Sequence, residues 1–119
     1  MRFEVITAFP ESFPSYLNSS MLKRAQKRGL ISIAVHDLRK STRDKHKSVD
    51  ARPYGGGPGM VLKIEPLARA ISSLKLKKND KKTKVILLAA GGKQFDAKMA
   101  STLAAKYKRI VLIAGHYEG

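Results

Sequence analysis

The sequence predicts an α/β fold built on a largely parallel sheet. Three observations carry that prediction. Lys84 to Ala90 and Ile110 to Ala114 are near-continuous apolar runs of the kind that parallel strands buried on both faces display. Segments of helical period separate the strand-like runs. The resulting order, β-α-β-loop-α-β-α-β, favours parallel pairing through right-handed crossovers. At 119 residues and 43% hydrophobic content the chain suffices for one compact core. Aromatic residues make up 7% and Trp is absent, so that core must be mostly Leu, Ile, Val, Ala and Met.

Taken in order, Arg2 to Ala8 reads as a strand because Phe3 and Val5 alternate with polar neighbours, and Pro10 ends it. Ser19 or Ser20 can cap a helix from Met21 to Arg28, with Leu22 and Ala25 on one face and Gly29 as its stop. Leu30 to Val35 follows as a second strand. Asp37 to Met60 shows no sustained period, and a loop of that length inside a compact domain is usually functional. Pro66 suits the first turn of a helix continued by Leu67, Ala70, Ile71 and Leu74. After the strand at Lys84 to Ala90, Gly91-Gly92 turns the chain and Asp96 can cap a helix carrying Met99, Leu103 and Ala104. Lys106 and Lys108 are expected in its last turn, where cations favour the helix dipole.

Lys and Arg together number 24 against 9 for Asp and Glu, a formal net charge of +15 that calls for an acidic partner. Cysteine is absent, which excludes disulfide scaffolds, Cys zinc sites, haem attachment and thiol nucleophiles, and suits a reducing compartment. Glu4 interrupts the only apolar stretch near the start, so a secretory signal does not fit. The longest apolar run, Val85 to Ala90, falls well short of the roughly 20 residues of a membrane span. The expectation is a soluble, cytoplasmic domain without membrane association.

Ligands of such sheets bind beyond the carboxyl ends of the strands. Two loops qualify, Ala89-Ala90-Gly91-Gly92 and Gly115-His116-Tyr117-Glu118-Gly119, although both could be ordinary tight turns. The strongest local signal is Asp50 to Met60, where Gly55, Gly56, Gly57 and Gly59 free the backbone and Pro53 and Pro58 restrain it. It is neither a P-loop, lacking Gly-Lys-Ser or Gly-Lys-Thr, nor G-x-G-x-x-G, since Met60 stands where the last glycine would be. Arg39, Lys40, Arg43, Lys45, Lys47 and Arg52 lead into it, and Tyr54 offers a ring, so contact with nucleic acid competes with a plain surface loop. Asp44 and Asp50 either brace this loop or accept hydrogen bonds from a guanine edge, with a structural role favoured for Asp44. A second basic run, from Lys75 to Lys84, reads as a solvated connection. His36, His46 and His116 lack metal-ligand spacing, and His46 reads as a surface group or phosphate contact. No nucleophile elbow supports hydrolysis.

The string Arg52-Pro53-Tyr54-Gly55-Gly56-Gly57-Pro58-Gly59-Met60 is long and specific. With Thr42-Arg43-Asp44-Lys45-His46 before it, Gly115 to Gly119 after it and Ile6-Thr7-Ala8-Phe9-Pro10-Glu11 at the start, it resembles the bacterial tRNA (guanine-N1)-methyltransferases, the TrmD family, over the whole chain. The resemblance implies a SPOUT-type sheet with a deep trefoil knot, which this chain would leave incomplete, a homodimer with sites between subunits, and a magnesium requirement. It implies methyl transfer from S-adenosylmethionine to N1 of guanosine-37 beside the tRNA anticodon. Leu88, Ala89, Ala90 and Gly91 would line the cofactor cleft, with Gly115, Tyr117 and Glu118 as its next wall. Asp50, Arg52, Tyr54 and Gly55, Gly56, Gly57, Pro58 and Gly59 would lie against the tRNA, with Arg43 and His46 beside them.

Two positions depart from the family pattern. Ala89-Ala90-Gly91 replaces a polar Ser-Pro-Gln type segment, and His116 stands where many members carry Arg. The family's general base and its helical tRNA-binding domain would follow Gly119. That leaves the catalytic residue unassigned and predicts weak tRNA binding without methyl transfer for the 119 residues alone. The rival readings are a non-enzymatic basic RNA-binding or ribosome-associated domain and a dimerising fragment.

Overall fold

The computed structural model describes residues 1–42, 49–51 and 61–115. In chain order its elements are β1 (Arg2–Thr7), α1 (Pro14–Leu17), α2 (Ser20–Lys27), β2 (Ser32–Asp37), β3 (Asp50–Ala51), β4 (Val61–Leu62), α3 (Ile64–Ser73), β5 (Thr83–Leu87), α4 (Ala97–Lys106) and β6 (Arg109–Ala114). Four strands form one sheet in the order β2-β1-β6-β5, every pairing parallel as expected. β3 and β4 form a separate antiparallel pair.

β1 and β6 take the centre. Register places Glu4 beside Val111 and Ile6 beside Ile113, so these residues share one face of the pleat. Ile6, Val111 and Ile113 pack there with Leu38, Val49 and Ala70, and Leu67, Ile71 and Leu74 of the α3 region close over them. The helical spacing of those leucines and of Ile71 is what turns one stripe of α3 inward. Pro66 is buried in its first turn, where the missing N–H has no intrahelical partner to lose.

Glu4 sits on the same face, 2% exposed, in a row otherwise occupied by hydrocarbon. Its Oε2 accepts from Arg109 Nε at 2.9 Å and from Arg109 Nη2, and its Oε1 lies 2.9 Å from His36 Nε2. Arg2 completes the cluster, with Nε 3.2 Å from Oε2. Burial alone would raise the carboxyl pKa. The hydrogen bonds from His36, Arg2 and Arg109, with the charge of Arg109, outweigh it and lower the value to about 2. One carboxylate thus links β1 to β2 and β6, and Arg109 Nη2 extends the link to the Leu74 carbonyl at the end of α3.

Several local expectations change. Ser19 is the N-cap of α2, but its hydroxyl donates to the Tyr16 carbonyl at 2.8 Å and not to the helix. At the other end Leu30 N donates to Ala25 O and Gly29 N to Gln26 O, a Schellman closure with Gly29 at φ +72°. That closure uses Leu30, so β2 begins at Ser32 and runs to Asp37, two residues later than the apolar run suggested. The long segment after Asp37 opens with a 3-10 turn, Leu38–Ser41, and holds the β3–β4 pair. α4 ends at Lys106, leaving Lys108 in the connection to β6. The largest correction concerns β5, expected to be buried on both faces. It is the sheet edge, with Val85 42% and Leu87 55% exposed, because the residues that cover Val111 and Ile113 on the same face do not extend over them among the described residues.

A carboxyl held below its ordinary value stabilises the fold above pH 4.5 and loses that contribution as pH falls toward 2. The shift from 4.5 to about 2 corresponds to roughly 3 kcal/mol, reduced to the order of 2 kcal/mol by the solvent exposure of the partners. Urea titrations should show Glu4→Gln less stable by about 2–4 kcal/mol at pH 7, since three donors lose their anion. The gap should narrow by pH 3. An equally steep acid loss in Glu4→Gln and the native chain would sink the assignment. Gly29→Ala, by contrast, should cost about 1 kcal/mol at every pH, because it places a Cβ in the left-handed region.

Candidate functional site at the carboxyl end of the sheet

Parallel pairing brings the carboxyl ends of all four strands to one edge. Thr7 pairs with both Asp37 and Ala114, and Leu88 N donates to Ile113 O at 3.0 Å, carrying the pairing one residue beyond β5. Thr7 is buried and its Oγ1 accepts from Phe9 N at 3.1 Å, which turns the chain at the end of β1. Asp37 Oδ1 accepts from Arg39 N at 2.9 Å and so starts the 3-10 turn beside it. The Arg39 guanidinium stands 5.8 Å over the Phe9 ring, and Arg69 Nε of α3 donates to the Ser41 carbonyl. These contacts make a fixed rim.

Beyond β5, Gly92 N donates to Ala89 O at 3.1 Å, closing a tight turn. A Cβ on Gly92 would lie 3.3 Å from that same oxygen, whereas one on Gly91 would meet nothing within 4 Å. Leu88, Ala89, Ala90 and Gly91 are all exposed, so this backbone is open to a ligand. Beyond β6, Gly115 is buried, and a Cβ there would approach Leu62 Cδ2 of β4 to 3.3 Å. β4 is itself anchored, since Lys63 N donates to Val49 O at 2.8 Å and Asp50 and Ala51 pair with Leu62 and Val61. The residues that bracket positions 52–60 therefore stand against the start of the Gly115 loop.

Sequence-predicted residues are thus brought to one edge from three sides: Leu88 to Gly91, Gly115, and Asp50 on β3. Arg43, His46, Arg52, Tyr54, Gly55, Gly56, Gly57, Pro58, Gly59, His116, Tyr117 and Glu118 lie outside the described residues. His36 belongs elsewhere, bound to Glu4. No group of three His, Cys, Asp or Glu residues that could hold a metal ion occurs among the described residues, so the expected magnesium finds no donor set there. Among them, too, no helix is long and apolar enough to cross a membrane.

One feature was not legible. An apolar groove of about 910 Å³ separates α4 from the second face of the sheet, with Phe3, Ile86, Ile110 and Leu112 on one wall and Met99, Leu103 and Tyr107 on the other. It opens at Leu87, Leu88, Ala89 and Gly92, beside the tight turn. α4 buries none of its residues, so its amphipathic spacing suggested closer packing than it has. Ala100 and Ala104 facing the groove are the signal that a wide space lay there.

A family model described as tRNA (Guanine-1)-methyltransferase TrmD matches residues 1–119. A tRNA (guanine-N(1)-)-methyltransferase of Thermomicrobium roseum is 46% identical over all 119 residues, which span 44% of that protein. Its counterpart from Dictyoglomus turgidum is 47% identical, with 46% of its length spanned. Among solved structures, a tRNA (m1G37) methyltransferase from Aquifex aeolicus superposes with a TM-score of 0.82 at 34% identity, over the whole of this chain and 52% of that one. The chain spans about half the length of these relatives. A parallel sheet with Gly91, Gly92 and Gly115 at one edge and a match that runs from the first residue to the last lead to one conclusion: the chain belongs to the tRNA (guanine-1)-methyltransferase TrmD family.

Proposed function

We propose that the protein takes part in methyl transfer from S-adenosylmethionine to N1 of guanosine-37 in tRNA, in the cytoplasm and as a homodimer. Leu88, Ala89, Ala90 and Gly91, with Gly115, Tyr117 and Glu118, are its cofactor side. Asp50, Arg52, Tyr54 and the Gly55 to Gly59 segment, with Arg43 and His46, are its tRNA side. The observation that supports this reading is the approach of Leu62 to Gly115, which brings the residues following positions 52–60 beside the start of the loop proposed for the cofactor. The family match over residues 1–119 supports the reaction class.

The described residues fit the cofactor. An open backbone turn at Ala89 to Gly92 beside the apolar wall of Leu87 and Leu88 suits a ligand with a flat apolar ring and polar substituents. S-adenosylmethionine supplies, when bound, a methyl group on a sulfonium that leaves as a neutral thioether. Transfer requires guanine N1 at near-attack distance and relieved of its proton. Of the described titratable groups, Glu4 is sealed beneath the sheet, Asp37 caps a turn and His36 is engaged with Glu4, so none of these three is placed for that proton. The described part of the site is assigned binding and orientation.

Calorimetric titration of the chain with S-adenosylmethionine should give binding in the micromolar range, and the absence of any binding heat would overturn the proposal in favour of a basic RNA-binding domain. Because a Cβ at Gly91 meets open space in the protein, Gly91→Ala should leave the melting temperature unchanged and weaken cofactor binding about tenfold. Gly115→Val should instead lower stability by about 1–3 kcal/mol, through collision with Leu62, and weaken both cofactor and tRNA binding. Full cofactor and tRNA affinity in Gly115→Val would contradict the shared wall.

A further inference from the structure

The amino ends of the strands carry a second charged surface, opposite the site. The run Lys75 to Lys84 joins α3 to β5, and Lys82 O accepts from both Lys108 N, at 2.8 Å, and Arg109 N, at 3.2 Å. The connection between α4 and β6 is thereby held against it, and Arg2 N donates to Lys108 O at 2.8 Å from the next strand. Lys77, Lys78, Lys81, Lys82, Lys106 and Lys108 are all exposed, and none forms an ion pair among the described residues. The strand length of five to six residues puts this face about 20 Å from the turns at the carboxyl end.

This surface is built and not merely solvated. Leu74 and Leu76 turn inward onto the core, which fixes which side of the segment faces out. Lys75 and Asn79 hold left-handed backbone angles, φ 51° and 66°, so the segment is a formed double turn. Asp80, the sole acid in the segment, is engaged: Oδ1 accepts from Lys82 N at 2.8 Å and Oδ2 from the Thr83 hydroxyl at 2.9 Å. Those bonds hold its carboxyl below the ordinary value and keep it a staple of the loop.

We propose that this amino-end face, centred on Lys77, Lys78, Lys81, Lys82, Lys106 and Lys108, holds the phosphate backbone of a double-stranded RNA stem. The inference rests on the RNA-directed reading above and adds a second contact surface to it. Lysine is a point-charge binder without the fork geometry that reads bases, so the contact is sequence-independent. The chemistry disfavours other polyanions. A single-strand platform needs exposed rings for stacking, and the ring in these connections, Tyr107, faces the groove and lies under Lys84 Nζ at 6.0 Å. A membrane surface needs apolar side chains to insert, and Leu74 and Leu76 point into the core.

The test is fluorescence anisotropy of the 119-residue chain with a blunt RNA duplex of about 20 base pairs, long enough to cover more than one face, over a salt series. The variant Lys77→Ala/Lys78→Ala/Lys81→Ala/Lys82→Ala should bind at least about tenfold more weakly at low salt, with a log–log slope shallower by about 2–4, given about 0.9 per phosphate on a duplex. Arg at the same four positions should preserve the slope. Lys23→Ala/Arg24→Ala/Lys27→Ala/Arg28→Ala removes the same charge from exposed positions on and just after α2 and should change the slope by less than about 1. Equal losses in both alanine variants would reduce the effect to net charge and overturn the proposal. So would an unchanged slope, tighter binding to a single strand of the same length, or loss of binding to phosphatidylserine vesicles with duplex binding intact. Titration with S-adenosylmethionine should be the same for all variants, which separates failure here from failure of the proposed carboxyl-end site.

Discussion

Everything in this fold hangs on a single buried anion. Glu4 occupies a position in the middle of the sheet where the pleat asks for hydrocarbon, and it is tolerated because Arg109, His36 and Arg2 converge on its two oxygens. A lone carboxylate there would cost several kcal/mol of desolvation. Together these groups define register. Arg109 faces Arg2 across the β1–β6 pair, and moving either strand by one residue would turn its charged group to the opposite face. The position of Gly115 at the far end of β6, and with it the approach of Leu62, follows from that register.

Much of this arrangement was legible because the chain obeys local rules. Asp96 caps α4 by accepting from Met99 N, Gly29 ends α2 in the left-handed region, and the alternation in β1 and the apolar run of β6 specify strands that take the sheet centre. The glycine string from Arg52 to Met60 is specific enough to point to the family by itself. What was hidden is non-local. Nothing in Glu4 itself announces that its partners lie 32 and 105 positions away. Nor does a continuous apolar run state what covers it, so β5 read as central although it forms the edge. The start of β2 shifted because a helix closure claimed Leu30, and propensity alone cannot weigh that competition. In the site, backbone openness at Gly91 was readable from residue type, while the packing of Leu62 on Gly115 depends on a two-residue ladder too short to leave a periodic signal.

The sheet thus has two chemically distinct ends. Its carboxyl edge carries small residues and open backbone, which suit recognition at close range. Its amino edge carries long flexible cations that act over a Debye length of about 8–10 Å at ordinary salt. A polyanion would be drawn in by charge and then sorted by shape, and a parallel sheet separates those tasks because every strand contributes one terminus to each edge.

The distance along the chain between Glu4 and Arg109 also sets an order of events. The strand that must pair with the second edge of β1 follows it by 105 residues in synthesis. At synthesis rates of roughly 5–20 residues per second, that interval is on the order of ten seconds. Throughout it the β6-facing edge of β1 has no partner, and the Glu4 carboxylate lacks Arg109. Such separation between contacting residues makes for slow folding. The nascent chain is therefore most open to mispairing, or to capture by a chaperone, before β6 arrives.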